Sequence, residues 1–161
     1  MQSTTPKFDA DQYKTMTREQ WQSAAAAWHR WGPRIERWLA PATDLLLDMA
    51  RVREGSRLLD VAAGAGGQSL AAARRVGPTG RVLATDISSN ILAFARQEAQ
   101  RAGLLNVETR ILDGENLEVP LEWFDAVISR LGLIYFPDQQ KALRGMRWAL
   151  KPAGRVAVIV Y

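Results

Sequence analysis

The chain contains no cysteine among its 161 residues and only one histidine. Disulfide bonds, thiolate metal ligands and a cysteine nucleophile are therefore excluded, and one histidine cannot form a metal site alone, so we predict no metal. A protein without cysteine fits a reducing compartment, and we expect it in the cytoplasm. No apolar run reaches the roughly 18 to 20 residues of a membrane-spanning helix, which predicts a protein without a membrane span.

Positive charge is in slight excess but is not concentrated anywhere along the chain. The 21 lysines and arginines and the 17 aspartates and glutamates give a formal net charge of +4. Nucleic-acid binding requires clustered cations that face phosphates, so scattered arginines predict solvated helix faces and no nucleic-acid partner. The length is that of one compact domain.

Residues 1–56 have helical periodicity after a polar beginning. The segment 1–17 is polar and aperiodic and predicts a flexible arm. Apolar residues at helical spacing follow, so the segment 18–56 predicts a helical cap. Pro33 and Pro41 are each expected to interrupt it, which would divide the cap into three shorter helices.

From residue 57 the pattern changes to apolar strands that alternate with helices. Strands are predicted over 58–61, 81–85, 107–112, 125–129 and 155–161, and helices over 67–76, 89–102 and 138–150. This alternation predicts an α/β fold, with a parallel sheet covered by helices on both faces, as the core over 57–161. The last strand ends at Tyr161 in an apolar run, so we expect an exposed edge and an incomplete C-terminal part. A second copy of the chain is one candidate partner for that edge, which would give a homodimer.

A glycine-rich turn joins the first predicted strand to the helix that follows it. Asp60 comes near the end of that strand, Gly64 and Gly66 follow, and Asp86 comes twenty residues after Gly66, at the end of the second strand. Glycines allow a ligand close to the backbone, a helix start offers free N–H groups, and an acidic side chain there accepts hydrogen bonds from ribose hydroxyls. The pattern predicts a nucleoside site. The alternatives are that Gly64 and Gly66 form a plain tight turn and that Asp86 caps the following helix.

Four motifs, at residues 58–66, 84–88, 113–117 and 124–129, follow one another along the chain. Together with the ending 143–155, they resemble the class I S-adenosylmethionine-dependent methyltransferases, and within them the ubiquinone and menaquinone C-methyltransferases. The resemblance implies a Rossmann-like sheet of order 3-2-1-4-5-7-6, of which this chain supplies the first five strands. It also implies S-adenosylmethionine as cofactor, S-adenosylhomocysteine as product and a small-molecule methyl acceptor.

The resemblance further implies which residues hold the cofactor. Asp60 and the turn 62–66 would hold the methionine moiety, mainly through backbone groups. Asp86 would bind the ribose diol, Ile87 would pack on the adenine, and Asp113 would accept from the adenine amino group. The complete predicted set is Asp60, Ala62, Ala63, Gly64, Gly66, Asp86, Ile87, Asp113, Gly114, Ser129 and Arg130. The family usually has glycine at the position of Ala62, so a slightly crowded turn is expected.

No catalytic side chain is predicted, because methyl transfer from a sulfonium depends on alignment and exclusion of water more than on a nucleophile. His29 is expected to be a surface or hydrogen-bonded helix residue, with a general base as the alternative. Tyr135 and Phe136 either pack beneath Pro137 or contact the acceptor. Two other functions stay open: a nicotinamide-dependent oxidoreductase, disfavoured because the turn lacks the three-glycine spacing, and a non-catalytic or partner-dependent methyltransferase-like protein.

Overall fold

The computed structural model describes residues 8–161. Along the chain the elements are α1 (Ala10–Met49), β1 (Arg57–Val61), α2 (Gly67–Val76), β2 (Arg81–Asp86), α3 (Ser89–Arg101), β3 (Val107–Ile111), β4 (Phe124–Arg130), a 3-10 turn (Leu133–Tyr135), α4 (Gln139–Ala149) and β5 (Leu150–Ile159). The predicted strands and the helices α2, α3 and α4 are confirmed, mostly within two residues at each end. The 3-10 turn was not predicted.

The five strands form one sheet in the order β3-β2-β1-β4-β5, and every neighbouring pair is parallel. This order is the one that the resemblance implies. Leu59 of β1 is in register with Leu83 of β2 and with Val127 of β4. The carboxyl ends of all five strands therefore lie along one edge, where open α/β sheets bind their ligands.

Both faces of the sheet are covered, as the alternation of strands and helices predicts. On one face, Leu46 and Leu47 near the end of α1 pack with α2 against Leu58 of β1. On the other face, Met146 of α4 packs against Leu59. Successive residues of β1 thus serve opposite cores, which explains why the strand is apolar along most of its length.

The predicted interruptions of the N-terminal helices are wrong, because α1 is one helix from Ala10 to Met49 with Pro33 and Pro41 inside it. Asp9 caps its start by accepting a hydrogen bond from the amide of Gln12 at 2.9 Å. A proline removes one intrahelical hydrogen bond and bends a helix, but packing along α1 outweighs that cost. The predicted arm is also wrong from Ala10 onward, and its first seven residues lie outside the described part. The division into cap and core stays a prediction.

The last strand begins earlier than predicted, at Leu150, which pairs with Phe124. The register then shifts between Phe124 and Ala126, so the residues before Arg155 form a bulge in which Ala153 has a φ of 66°. Bulges are not visible in an apolar periodicity, and the prediction therefore began the strand only after the irregularity. Within residues 8–161, β5 pairs with β4 alone and lies at the sheet edge, as expected.

None of the helices in the described part combines the length and the apolar character that a crossing of the membrane demands.

Candidate functional site

A cavity of about 750 Å³ lies between the carboxyl ends of the strands and the helix α1. Its volume is in the range of sites for small molecules and cofactors. Eight of the eleven predicted site residues line it: Ala62, Ala63, Gly64, Asp86, Ile87, Asp113, Gly114 and Arg130. The other three, Asp60, Gly66 and Ser129, do not line it and act behind its wall.

Asp86 ends β2 and presents its carboxylate to the cavity while only 8% exposed. One carboxylate oxygen accepts from the amide of Gly64 and the other from the amide of Ser88, each at 3.0 Å. Burial raises the pKa of Asp86, although these backbone hydrogen bonds oppose the rise. Each carboxylate oxygen has more than one acceptor position, so Asp86 can accept further hydrogen bonds from a ligand.

The turn after β1 has several residues in the left-handed backbone region: Ala62, Gly64 and Gly66 have φ values of 61°, 57° and 90°. This region costs an alanine roughly 1 kcal/mol or more, which explains in physical terms why glycine is favoured at the position of Ala62. A side chain at Gly64 would meet no atom closer than Trp28 Nε1, at 3.7 Å. The turn is therefore open towards the cavity at Gly64.

Gly66 does not line the cavity and packs against α3. A Cβ there would lie 2.8 Å from Ala95 Cβ and 3.0 Å from Ala95 Cα. Gly66 therefore permits the close approach of α3 to the start of α2, and it supports the turn without facing the cavity.

Asp60 is fully buried and binds the first turn of α2. Its carboxylate accepts from Ser69 Oγ at 2.5 Å and from Gln68 Nε2 at 3.3 Å. Burial raises the pKa of Asp60 to about 7, against the opposing effects of these hydrogen bonds and of Arg130. Asp60 is thus a positioning residue that fixes the start of α2 beneath the glycine turn.

Asp60→Asn is expected to flatten the pH dependence of stability. Because the folded-state pKa is raised from 3.8 to about 7, the folded protein binds this proton more tightly than the unfolded chain. This difference in proton binding stabilises the folded protein by about 4 kcal/mol below the unfolded pKa, and the contribution is lost as the pH rises through 7. Urea unfolding of both proteins between pH 4 and 8 measures the difference. If the free energy of unfolding depended on pH in the same way in both proteins, the raised pKa of Asp60 would be contradicted.

Ser129, near the end of β4, is also behind the wall. Its Oγ is buried and has no hydrogen-bond partner within the described chain. Gly132 packs against it, since a Cβ at Gly132 would lie 2.8 Å from Ser129 Oγ and 2.4 Å from Ala62 Cβ. An unpaired buried hydroxyl is uncommon in a folded protein. Ser129 therefore places an unsatisfied polar group beneath the glycine turn.

Three polar residues of α1, none of them predicted, fasten this helix across the cavity. Lys14 binds Asp113 at 2.7 Å and also contacts Glu115. Burial lowers the pKa of Lys14, but the hydrogen bonds to these two carboxylates outweigh it and raise the pKa overall. Further along, Gln22 Oε1 accepts from Ser88 Oγ at 2.6 Å, at the start of α3.

The third of these residues is Glu36, which binds Arg130 through both of its carboxylate oxygens, at 2.6 and 2.8 Å. Arg130 also donates to Thr43 Oγ1 at 2.8 Å. The Glu36 carboxylate lies against the first residue of α2, because a Cβ at Gly67 would be 2.0 Å from it. The guanidinium of Arg130 is thus held by α1 at the wall of the cavity.

Aromatic side chains form one corner of the cavity. Trp21 packs edge-on against Trp28 and Tyr135, with ring centroids 5.3 and 5.5 Å apart. Phe136 and Tyr161 line the cavity beside them. Burial raises the pKa of Tyr135, and the electrostatic effect of the nearby Tyr161 phenol raises it further. The corner is apolar on its faces and has a phenol at its rim.

His29 is a hydrogen-bonded helix residue, which is the first of the two roles predicted for it. Its Nε2 lies 2.9 Å from Glu98 Oε1 and its ring stacks on Phe94 at 4.2 Å. The hydrogen bond with His29, followed by that with Arg101, lowers the pKa of Glu98. His29 also lines the cavity, and a role as general base stays a prediction. Between residues 8 and 161 no three acidic or histidine side chains are grouped as metal ligands would be.

Comparison with known proteins supports this account of the fold. Residues 53–160 match the family described as "Methyltransferase domain". The ubiquinone/menaquinone biosynthesis C-methyltransferase of Bordetella parapertussis is 38% identical over 112 residues, which are 70% of this chain and 43% of that protein. The crystal structure of a SAM dependent methyltransferase from Aquifex aeolicus has a TM-score of 0.69 and 21% identity, covering 96% of this chain and 74% of that one.

A second neighbour in structure is the [4+2]-cyclase SpnF, with a TM-score of 0.70 and 23% identity over 86% of this chain and 59% of that one. At this identity the likeness concerns the fold alone, and one fold supports several chemistries. The chain spans less than half the length of the curated relatives it matches, for example 43% of the Bordetella protein. The family match and this relative together decide the assignment: the chain belongs to the methyltransferase-domain family of class I S-adenosylmethionine-dependent methyltransferases.

Proposed function

We propose that this chain binds S-adenosylmethionine at the carboxyl ends of β1 and β2 and takes part in methyl transfer to a small molecule. The observation that carries the proposal is the position of Asp86, whose carboxylate lines the cavity next to the amide of Gly64. An acid in this place accepts hydrogen bonds from a ribose diol, and the adjacent turn has room for a ligand against its backbone. When bound, S-adenosylmethionine supplies a methyl group activated on a sulfonium.

The nucleoside end of the ligand would be held by residues that follow β2 and β3. Asp86 would accept from both ribose hydroxyls, and Ile87 would pack on the adenine. Asp113 would accept from the adenine amino group, with Gly114 beside it. Because Asp113 also binds Lys14, adenine binding and the position of α1 would be coupled.

The methionine end would lie along the glycine turn. Ala62, Ala63 and Gly64 would contact it through backbone groups. The Ser129 hydroxyl, buried without a partner in residues 8–161, would lie behind this end of the ligand and would not contact it directly. Arg130 would flank this end while it stays bound to α1.

The methyl acceptor would occupy the aromatic corner formed by Trp21, Trp28 and Tyr135. Rings that meet edge to face suit a flat, largely apolar molecule, and their bulk excludes water from the transfer path. The name of the Bordetella relative places it in quinone biosynthesis as a C-methyltransferase, which supports a small-molecule acceptor here. A general base is needed only if the acceptor loses a proton in the same step.

A thermal-shift comparison tests the proposal against the oxidoreductase alternative. S-adenosylhomocysteine at about 100 times its dissociation constant is expected to stabilise the fold by about 2.7 kcal/mol, or roughly 5 to 10 °C in Tm. NADH at the same concentration is expected to leave Tm unchanged. Stabilisation by NADH alone would favour the oxidoreductase and contradict the proposal. Release of S-adenosylhomocysteine from S-adenosylmethionine in the presence of candidate acceptors then separates transfer from binding alone.

A further inference from the structure

The outward face of α1 carries a stripe of apolar side chains that the rest of the described chain does not cover. Trp31, Trp38, Leu45 and Met49 are 48%, 79%, 59% and 58% exposed, and the half-buried Ile35 lies between them. They are four, three, seven and four residues apart, which places them on the contact positions of a coiled coil. The opposite side of the same helix, which includes Leu46 and Leu47, is packed in the hydrophobic core. These five residues, called the outer stripe below, form a second apolar face.

Most residues of the outer stripe have an apolar counterpart at the same distance on the other side of Trp38. Trp31 and Leu45 each lie seven residues from it, and Met49 lies eleven residues from it, as does Ala27 before the stripe. When two copies of α1 run antiparallel with Trp38 at the centre, Trp31 of one copy faces Leu45 of the other, and Ala27 faces Met49. A twofold interface requires this kind of self-complementarity.

A groove on the same face of α1 lies where side chains of the second helix would pack. It is a shallow, open depression on one segment of α1, with Ala24, Ala27, Trp28, Trp31, Arg34 and Ile35 along its walls. In the antiparallel arrangement, Leu45 and Met49 of the second copy come to the level of this groove. Apolar side chains of one helix would thus insert between those of the other, as in coiled-coil packing.

Charges along one flank of the outer stripe favour the antiparallel direction. Arg30, Arg34 and Arg37 precede its centre, and Asp44 and Asp48 follow on the same flank at helical spacing. The two aspartates bind Arg75, yet their side chains stay 69% and 68% exposed. An antiparallel twofold pair places the same flank of both copies on one side of the contact, so the arginines of each copy come next to the aspartates of the other.

From these observations we infer that the outer stripe is a self-association surface, on which two copies of this chain pair antiparallel through α1 with Trp38 at the twofold axis. The inference is independent of the proposed function, because none of the five residues of the stripe lines the large cavity. One pair of helices of this length buries less surface than most stable dimers, so a dissociation constant in the micromolar range is expected.

Sedimentation velocity over a concentration series tests the association. The chain is expected to shift from monomer to dimer, and Trp38→Glu is expected to raise the dissociation constant at least tenfold, because it places a charge at the centre of the contact. Trp148→Glu is the control, since Trp148 is a comparably exposed tryptophan, at 62%, on α4. A protein that stays monomeric at every concentration, or an equal effect of both variants, would overturn the inference.

Disulfide cross-linking tests the direction, and the absence of native cysteine makes it clean. Ala27→Cys and Met49→Cys chains are expected to form a disulfide with each other when mixed and oxidised. Neither is expected to link to itself, because the two symmetry-related positions are 22 residues apart along the axis, about 33 Å. Self-linking of either single variant, or a dimer that links at neither position and instead pairs through β5, would overturn the inference.

Discussion

Asp86→Ala is expected to weaken the binding of S-adenosylhomocysteine at least about 100-fold. The proposed ligand donates two ribose hydroxyls to this carboxylate, and a hydrogen bond to a charged acceptor contributes about 1.5 kcal/mol or more. The variant also removes the acceptor of the Gly64 and Ser88 amides, so the glycine turn loses its link to β2. Isothermal titration calorimetry of both proteins measures the change.

Asp86→Asn separates ligand contact from loop support. The asparagine keeps one side-chain oxygen for a backbone amide but loses the charge and one acceptor, so an intermediate loss of about tenfold is expected. Asp44→Ala, at an aspartate with a side chain 69% exposed on the far part of α1, is the matched control and is expected to bind normally. Unchanged affinity of Asp86→Ala and Asp86→Asn would show that the ribose assignment is wrong.

Gly66→Ala is expected to lower the free energy of unfolding by roughly 2 to 5 kcal/mol. The left-handed backbone at Gly66, with a φ of 90°, costs an alanine about 1 to 2 kcal/mol. The new methyl group would also collide with Ala95 at 2.8 Å and with Leu70 at 3.1 Å, and such overpacking costs about 1 to 3 kcal/mol. Urea unfolding at one pH measures the sum.

Gly103→Ala isolates the backbone cost from the collision. Gly103 has a φ of 67°, and a Cβ there meets no atom within 4 Å, so a loss of only about 1 kcal/mol is expected. If both substitutions cost the same, the close packing of α2 against α3 at Gly66 would not limit the side chain. Reduced cofactor binding by a folded Gly66→Ala protein would show that this contact also shapes the turn.

The sheet was predictable because its determinants are local. Every strand except β3 contains a short apolar run, and the helix α2 begins and ends at glycines. The alternation of these units implies a parallel sheet by itself. The strand order came from the resemblance of the motifs, since nothing in a single strand such as β2 states which neighbour it pairs with.

The helix α1 was not predictable in the same way. Pro33 and Pro41 are local signals against helix continuation, whereas the contacts that keep α1 continuous are distant in sequence. The hydrogen bond from Lys14 to Asp113 spans 99 residues, and those from Arg130 to Glu36 span 94. Tertiary packing outweighs local propensity here, and no short-range pattern contains that information.

The candidate site was predictable where the sheet edge alone defines it. Asp86 and Gly64 follow strand ends, and the fold brings them within hydrogen-bonding distance. The residues that α1 adds, Lys14 and Glu36, had no recognisable motif. Asp60 and Gly66 belong to the predicted set but do not line the cavity, since motif spacing identifies positions and does not state which side of the turn a group occupies.

A crystal structure of this chain with S-adenosylhomocysteine tests the central claim most directly. The account predicts the ribose hydroxyls at the Asp86 carboxylate, the adenine next to Ile87 and the amino-acid end along the backbone of Ala62 to Gly64. Ligand density elsewhere on the molecule, with the carboxylate of Asp86 making no contact to the ribose, would contradict it.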